Sequence, residues 1–402
     1  MVINMDKTLC TGCGVCATVC PVHSITMKKN QHGFLYPSID ETTCINCNRC
    51  DKFCHAQNIK ALPSNEPVAY IGYNKNEEQR LTSSSGGIFV LFAEDILKLN
   101  GVVYGAAFSK NWAVSHVRID TLQDLCSLQG SKYVQSTVDE DIYLSVYADL
   151  EKKKYVLYSG TPCQIGALKR FLNKDYDTLL TVSFICHGVP SPALWQQYVK
   201  EQSAIYNSDI SQVSHRNKNR GWTNFSMSLR FENRSEYCVS LKHDPYLQLF
   251  LKNTCLRESC YCCQYKGKDR LSCIDILLAD KWGTVSGTIP NMYDDKGIST
   301  IFVQSTQGMF FWNRIKDCIF FDKTIFEEVI ESNISYNTSS VASTQKDAVL
   351  SGIGTMSVKK LFKRYAKTPL KNRVKDSIKR ILYKVAKLCG IIWLVRKVRH
   401  RK

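Results

Sequence analysis

The sequence predicts a multi-domain α/β protein: a cysteine-rich, metal-ligating N-terminal module, a larger mixed α/β domain and a basic helical tail. Three observations carry this. Two tight cysteine quartets lie in the first 54 residues, short apolar strands alternate with helical patterns from residue 68, and nearly all the net charge sits in the last 44 residues. The expected boundaries are 1–60, then 66–355 (in two parts, 66–150 and 151–355), then 356–402. A length of 402 residues suits two or three units. With 44% hydrophobic and 22% charged residues, the chain has enough apolar side chain to bury a core, which excludes a disordered protein.

The net charge is +17, and its location matters more than its size. From Lys359 to Lys402 there are 17 Lys or Arg against one acid, Asp376, so the preceding residues are near neutral and no DNA-binding core is expected. Nineteen cysteines require disulfides or metal chemistry. Met1 to Cys10 lacks a basic segment followed by an apolar run, the mark of a secretion signal. The longest apolar run, Leu388 to Val395, contains Gly390 and is shorter than the roughly 20 residues of a membrane span. A cytoplasmic chain with reduced thiols is therefore expected, and reduced thiols favour metal ligation.

In the first module, Cys10, Cys13, Cys16 and Cys20 form C-x2-C-x2-C-x3-C followed by Pro21, and Cys44, Cys47, Cys50 and Cys54 repeat the spacing. Two-residue gaps let a tight loop wrap three thiolates around one cubane, while the fourth cysteine of each run reaches the other cubane. The expected 4Fe-4S ligand sets are Cys10, Cys13, Cys16 and Cys54, and Cys44, Cys47, Cys50 and Cys20. Gly12, Gly14 and Ala17 leave room for backbone N–H groups to approach the sulfur atoms. Zinc knuckles use C-x2-C pairs rather than quartets and fit the spacing poorly. Residues 3–58 resemble the bacterial two-cluster ferredoxins, with His55 standing where the second motif usually has proline. Pro63 to Pro67 reads as the linker out.

Beyond it, Val68–Tyr73, Val102–Phe108, Tyr155–Tyr158 and Leu179–Ile185 read as strands, and Ile88–Leu99 and Gln164–Phe171 as helices. This alternation predicts an α/β sheet with its ligand site beyond the C-terminal strand ends. The loops expected there carry chemistry. Ser83 to Gly87 opens a helix, which makes either an anion site or an ordinary serine cap. Gly130 to Ser136 is polar and carries Lys132. Ser159 to Gln164 and Cys186 to Pro190 put Cys163 and Cys186 at successive strand ends, and Cys260-x2-Cys263 adds a pair, with Cys255 and Cys262 nearby. His215 to Lys218 reads either as an anion contact or as a solvated charge cluster.

The ordered motifs S-S-G-G, G-S-K-Y-V-Q-S, S-G-T-P-C-Q-I, C-H-G-V-P-S-P, L-R-x-S-C-Y-x-C and D-I-x-x-x-D-x-W-G resemble the coenzyme F420 hydrogenase/dehydrogenase beta-subunit family over residues 66–340. The resemblance implies a flavin domain that holds FAD and one further 4Fe-4S cluster, and passes electrons to or from a hydride-carrying small-molecule substrate. Cofactor contacts are expected at Ser84, Ser85, Gly86, Gly87, Lys132, Tyr133, Gln135, Ser136 and Thr161. The third cluster is expected on Cys163, Cys186, Cys260 and Cys263, with Cys255 in reserve; the strand-end thiols also suit plain burial, and the C-x2-C pair zinc. His187 is the candidate proton carrier, with backbone hydrogen bonding as the alternative. Cys126, Cys238, Cys318 and Cys389 read as packing, and Cys262 and Cys273 are unassigned. Ala279 and Lys281 depart from the family pattern near the active site, which leaves coenzyme F420 itself open as the substrate. Members with a fused ferredoxin module also occur in bacteria lacking that coenzyme, often near polysaccharide genes.

In the tail, Ile378, Ile381, Leu382, Val385, Leu388, Ile392 and Val395 recur at helical spacing among Lys379, Arg380, Lys384 and Lys387. A basic amphipathic helix with Trp393 suits an anionic membrane surface on the cytoplasmic side; RNA or a partner helix is the alternative. The whole predicts an enzyme fed by a soluble ferredoxin or another redox protein. A relay subunit without catalysis, or a redox component of polysaccharide assembly, is the rival expectation.

Overall fold

The computed structural model describes residues 6–57, 66–271, 273–283, 289–290 and 294–367. In the N-terminal module, β1 (Ile25–Lys29) pairs antiparallel with β2 (Leu35–Ile39). Each cysteine loop curls through two left-handed residues at matching positions, Gly12 and Gly14 in the first and Asn46 and Asn48 in the second. Glycine and asparagine are the residues that reach that conformation at least cost. A short helix follows each pair, Val15–Thr18 and Arg49–Phe53.

The larger domain is built on an eight-stranded sheet. Its strands are β3 (Val68–Asn74), β4 (Val102–Phe108), β5 (Val114–Ile119), β6 (Val156–Ser159), β7 (Leu179–Phe184), and, after a separate three-stranded layer of β8 (Ile210–Asn217), β9 (Ser226–Phe231) and β10 (Glu236–Ser240), β11 (Ile276–Asp280), β12 (Ser299–Val303) and β13 (Ile319–Thr324). Across the sheet the order is β13-β3-β12-β11-β7-β6-β4-β5. Strands β4, β6, β7 and β11 are mutually parallel. Because β12 runs antiparallel to both β11 and β3, β3 points the same way as those four. Five strands thus end at one edge, and strands from both sides of residue 150 share the sheet. The predicted strands and helices lie here with ends shifted by a residue or two.

Side-chain alternation sorts the sheet residues onto two faces. Val102, Tyr104, Val156, Tyr158, Leu277 and Phe302 face a core that also takes in Val15 and Val19 of the N-terminal module and Ile165 and Leu168 of the helix Pro162–Leu172. Val103, Leu157, Leu180, Ile276 and Ile301 face the helix Ile88–Lys98, which contributes Ile88, Phe92 and Ile96. The helix Pro162–Leu172 begins with a Thr161/Gln164 capping box and Pro162 at its first turn, and it stops at left-handed Asn173.

The three-stranded antiparallel layer, ordered β10-β9-β8, packs Met227, Leu229 and Phe231 against Trp195, Tyr198, Tyr246 and Leu249. Val358, Leu361 and Ala366, at the start of the segment 356–402, are buried in the same core. The amphipathic stretch from Ser377 lies outside the described residues, as does Cys389. Among the described residues no helix is long and apolar enough to cross a membrane.

Gly86 sits where β3 and β12 come together. A Cβ there would stand 2.7 Å from the Gly72 carbonyl oxygen and 2.8 Å from the Ser299 nitrogen, both backbone atoms that cannot swing away. The variant Gly86→Val is expected to cost about 1–3 kcal/mol of stability through overpacking. A lowered urea midpoint is the readout, and an unchanged midpoint would mean that the strands are not this close.

Candidate functional site

The N-terminal module docks through its first cysteine loop. Arg257, 1% exposed, donates from Nε to the Cys10 carbonyl (2.7 Å), from Nη2 to the Leu35 carbonyl (2.8 Å) and from Nη1 to the Gln135 side-chain oxygen (3.1 Å). Its Nη2 also lies 3.6 Å from the Cys10 sulfur, and the guanidinium sits over the Tyr36 ring, 4.3 Å from the centroid. Gly12 is what lets it in: a Cβ at that left-handed residue would be 2.8 Å from Nη1. Gln135 donates to the Thr11 carbonyl and Tyr143 to the Cys13 carbonyl, at 2.9 and 2.8 Å. His55 joins Thr11 (2.9 Å) to the Tyr265 hydroxyl (2.7 Å).

The thiols of Cys10, Cys13, Cys16 and Cys54 gather at this interface. Burial pushes the Cys13 thiol up to about 12, and charges on Cys10 and Cys54 push the same way. The Cys16 thiol is raised by burial, then by Cys13, Cys10 and Cys54. Of the second set, Cys20 and Cys50 pack into a small core with Cys54, Ile25 and Ala56, while Cys44 is half-buried and Cys47 exposed. At Cys20, burial raises the thiol, yet hydrogen bonding from Ser24 and from the backbone of Val22, Ser24 and Ile25 brings it below the usual range.

A second gathering of thiols comes from three separate segments. Cys163 opens the helix Pro162–Leu172, Cys186 follows β7, and Cys260 and Cys263 lie on or just after the short helix Glu258–Tyr261. Burial and then Cys263 push Cys163 up to about 11; burial, then Cys163 and Cys263, push Cys186 to about 12. Cys260 is raised by burial and then by Cys186, Cys163 and Cys263. Opposite charges temper this: Lys266 lowers Cys186 and donates to its carbonyl at 2.8 Å, and Arg257 lowers Cys163. Such a donor set, half-buried, all sulfur and flanked by cations, suits an iron–sulfur cubane. Among the described residues no three His, Cys, Asp or Glu side chains are close enough to hold one metal ion. A cubane asks for wider spacing, since each thiolate bonds a different iron.

The four thiols line a small cavity of about 50 Å³, together with Leu9 and Thr11 of the N-terminal module. Thr161, Gln164, Cys186, His187, Gly188 and Val189 belong to its wall and also to that of a cavity of about 560 Å³. The larger cavity lies where β4, β6, β7 and β11 end, and its size is that of a cofactor or substrate site. Ser83 Oγ, His116 Nδ1, His187 Nε2 and two nitrogens of Arg216 are buried on its wall without hydrogen-bond partners, groups that a polar ligand would satisfy.

Of the residues expected to touch a cofactor, Ser84, Ser85, Gly87, Lys132, Tyr133, Ser136 and Thr161 line the large cavity. Gly86 does not line it; the Gly86 N–H donates to Ser299 Oγ at 3.0 Å between the strands. Gln135 turns the other way, toward Thr11 and Arg257. His187 stands between the two cavities, and burial lowers its pKa, which leaves the ring neutral at pH 7. Cys255 is buried with the three-stranded layer, Cys262 is exposed, and Cys273 is half-buried against the core on the sheet's first face.

Arg216 lies in the run His215 to Lys218, which reads as an anion contact or a solvated cluster, whereas Arg257, Tyr265 and His55 escaped assignment from sequence. Their partners are distant in the chain, and the one local signal was the family motif around Arg257. The variant Arg257→Lys keeps the charge but loses the planar fork. It is expected to lose about 2 kcal/mol or more, since hydrogen bonds to charged groups contribute about 1.5–3 kcal/mol each. Hydrogen exchange should rise at residues 9–13 and 34–36; protection equal to wild type there would contradict the docking role.

Residues 153–325 match the family described as the C-terminal part of the coenzyme F420 hydrogenase/dehydrogenase beta subunit, and residues 9–63 match the 4Fe-4S dicluster domain. No curated relative matches the chain. Among solved structures, a chain of the F420-reducing NiFe hydrogenase complex from Methanosarcina barkeri is similar at 18% identity and a TM-score of 0.44, over 69% of this chain and 90% of that one. The dicluster match agrees with the two N-terminal cysteine sets. Residues 153–325 thus match the coenzyme F420 hydrogenase/dehydrogenase beta-subunit family behind a 4Fe-4S dicluster domain, and the chain is an iron–sulfur protein of the oxidoreductase type, related to that beta subunit, that transfers electrons.

Proposed function

We propose that this chain is an iron–sulfur flavoprotein oxidoreductase that moves electrons between a soluble redox protein and a small-molecule substrate. Its cofactors are two 4Fe-4S clusters in the N-terminal module, a third on Cys163, Cys186, Cys260 and Cys263, and FAD in the large cavity. The observation that carries this is the shared wall. The half-buried thiol quartet lies between the Cys10 loop and the large cavity, in contact with residues that line both. When bound, the clusters supply single-electron transfer and the flavin converts it to hydride transfer.

The residues of the chain divide the work by position. Cys47 and Ile45 are exposed, so the loop that carries the second ligand set reaches solvent there and suits the surface where a ferredoxin-like partner touches. Arg257 fixes the first loop against the large domain, and Lys266 holds the Cys186 loop through its carbonyl. Tyr143, Tyr158 and Tyr265 crowd the space near Cys13 and Cys163 and keep water out of it. His187 Nε2 is the group on the cavity wall that would hold or release a proton at the substrate. A relay subunit without catalysis would have little use for a 560 Å³ cavity with partnerless polar groups.

The iron count tests the reading. Full-length protein purified anaerobically is expected to hold about twelve iron and one FAD, given four thiolates per cubane. Replacing Cys260 and Cys263 with serine should remove about four iron and spare the N-terminal clusters. An unchanged iron content in that double variant would sink the third cluster, and the absence of flavin from the intact chain would favour the relay.

The tail adds a separate proposal, supported by sequence pattern alone: the stretch 377–395 contacts an anionic membrane surface. Full-length protein should float with anionic vesicles and release in salt, whereas a chain truncated before Lys367 should not float. Equal flotation of the two would refute it.

A further inference from the structure

The two cysteine quartets share a spacing but differ in the residue that follows them: Pro21 comes after Cys20, and His55 after Cys54. Pro21 is exposed, whereas His55 is 3% exposed and uses both ring nitrogens. Nε2 lies 2.9 Å from the hydroxyl of Thr11, in the loop between Cys10 and Cys13. Nδ1 lies 2.7 Å from the hydroxyl of Tyr265, two residues after Cys263. The bridge thus crosses from the N-terminal module to the large domain, and Tyr265 belongs to the wall of the small thiol-lined cavity.

The fold makes room for this bridge. The Tyr265 ring is tilted 48° to the imidazole, with centroids 5.5 Å apart. Its hydroxyl reaches the helix Pro162–Leu172 at Gly166, where any Cβ would collide with both the hydroxyl and the ring. Gly166 has ordinary helical backbone, so what the position needs is the missing side chain rather than a left-handed conformation.

The hydrogens give the bridge a direction. Burial holds the imidazole neutral, so one ring nitrogen carries a hydrogen and the other accepts. With the hydrogen on Nδ1, the buried Tyr265 hydroxyl would have no acceptor, because among the described residues its hydrogen-bond partner is His55 alone. With the hydrogen on Nε2, Tyr265 donates to Nδ1 and Nε2 donates to Thr11. The Thr11 hydrogen then remains for the Cys13 sulfur, whose thiol the Thr11 side chain draws down. All the donors point one way, and each polarises the next.

We infer that Tyr265, His55 and Thr11 form a one-way hydrogen-bond chain from the large domain to the Cys13 sulfur, which raises the reduction potential of the cluster held by Cys10, Cys13, Cys16 and Cys54. Hydrogen bonds to the sulfurs stabilise the extra negative charge of a reduced cluster, and burial opposes it. The three are positioning residues, acting on the iron only through a ligand. Since Thr11 and His55 belong to one domain and Tyr265 to the other, the potential depends on docking. The inference rests on Cys13 ligating an N-terminal cluster, as proposed above, and on neither the flavin nor the third cluster.

The test is a redox titration of full-length, anaerobically purified protein followed by electron paramagnetic resonance, with iron measured on the same samples. Thr11→Val keeps the shape and removes the last donor. It is expected to make reduction of one N-terminal cluster about three- to tenfold less favourable, the contribution of one hydrogen bond. At 59 mV per tenfold for one electron, that is a shift of about 30–60 mV to more negative potential. Thr11→Ser keeps the hydroxyl and is expected at the wild-type potential, while Tyr265→Phe should shift the same cluster in the same direction by less. Wild-type potentials in a fully loaded Thr11→Val overturn the inference. An equal shift in Thr11→Ser also overturns it, because packing and not the hydroxyl would then be the cause. If Tyr265→Phe moves a different cluster from the one that Thr11→Val moves, the chain does not run to Cys13 and the inference fails. Should Thr11→Val not load its clusters, Tyr265→Phe and Gly166→Ala, which displaces the Tyr265 hydroxyl, take its place; wild-type potentials in both overturn it. Iron content separates this inference from the wider reading: about eight iron per chain instead of about twelve removes the third cluster, while the potentials still decide the chain.

Discussion

The arrangement depends on one buried guanidinium. Arg257 belongs by sequence to the segment that carries Cys260 and Cys263, yet its hydrogen bonds go to Cys10, Leu35 and Gln135. A buried charge is tolerated only where its donors are satisfied, so the Cys10 loop, the strand beginning at Leu35 and the extended run through Gln135 are held at fixed positions around it. Gly12 leaves the space it occupies, and the aromatic faces of Tyr36 and Phe34 cover it. The positive charge also sits between two sets of thiols, where it offsets the mutual repulsion of any thiolates among them.

From that point the geometry orders the sites without any long-range movement. The N-terminal module is not tethered loosely: Val15 and Val19 are part of the same core as Tyr104, Tyr158 and Phe302 of the sheet. Its Cys47 thiol is exposed to solvent, while the loop of Cys10 and Cys13 is hydrogen-bonded to the large domain. The strand ends then place Cys163 and Cys186 beside the C-x2-C pair, and the loops after the same strands enclose the large cavity. Rigid placement suits electron transfer, which needs close spacing and little rearrangement.

Much of this was legible in the sequence, for reasons that differ by region. The two N-terminal quartets are legible because cubane ligation imposes a local spacing, and the matching left-handed residues could have been noticed too, since Asn46 and Asn48 repeat the offsets of Gly12 and Gly14. The parallel strands are legible as short apolar runs. The layer β8 to β10 was not, because its strands mix apolar and polar residues and its core is completed by the flanking helices Pro192–Tyr206 and Pro245–Leu251 and by residues 349–366 much further along. Gly86 and Gln135 were read as cofactor contacts because of the loops that hold them. Their neighbours do line the large cavity, but the Gly86 N–H is taken by Ser299 and the Gln135 side chain by Thr11 and Arg257. Arg257 could not be assigned its role from sequence because its partners are 122 to 247 residues distant.

The central claim is that the thiol sets and the large cavity form one continuous route for electrons. Anaerobic stopped-flow reduction by a protein electron donor tests it most directly, with cluster and flavin absorbance followed together. The account predicts that the clusters bleach first and that flavin reduction follows at a rate independent of donor concentration. Flavin reduced in step with donor concentration while the clusters remain oxidised, or clusters reduced beside a flavin that stays oxidised, would contradict it.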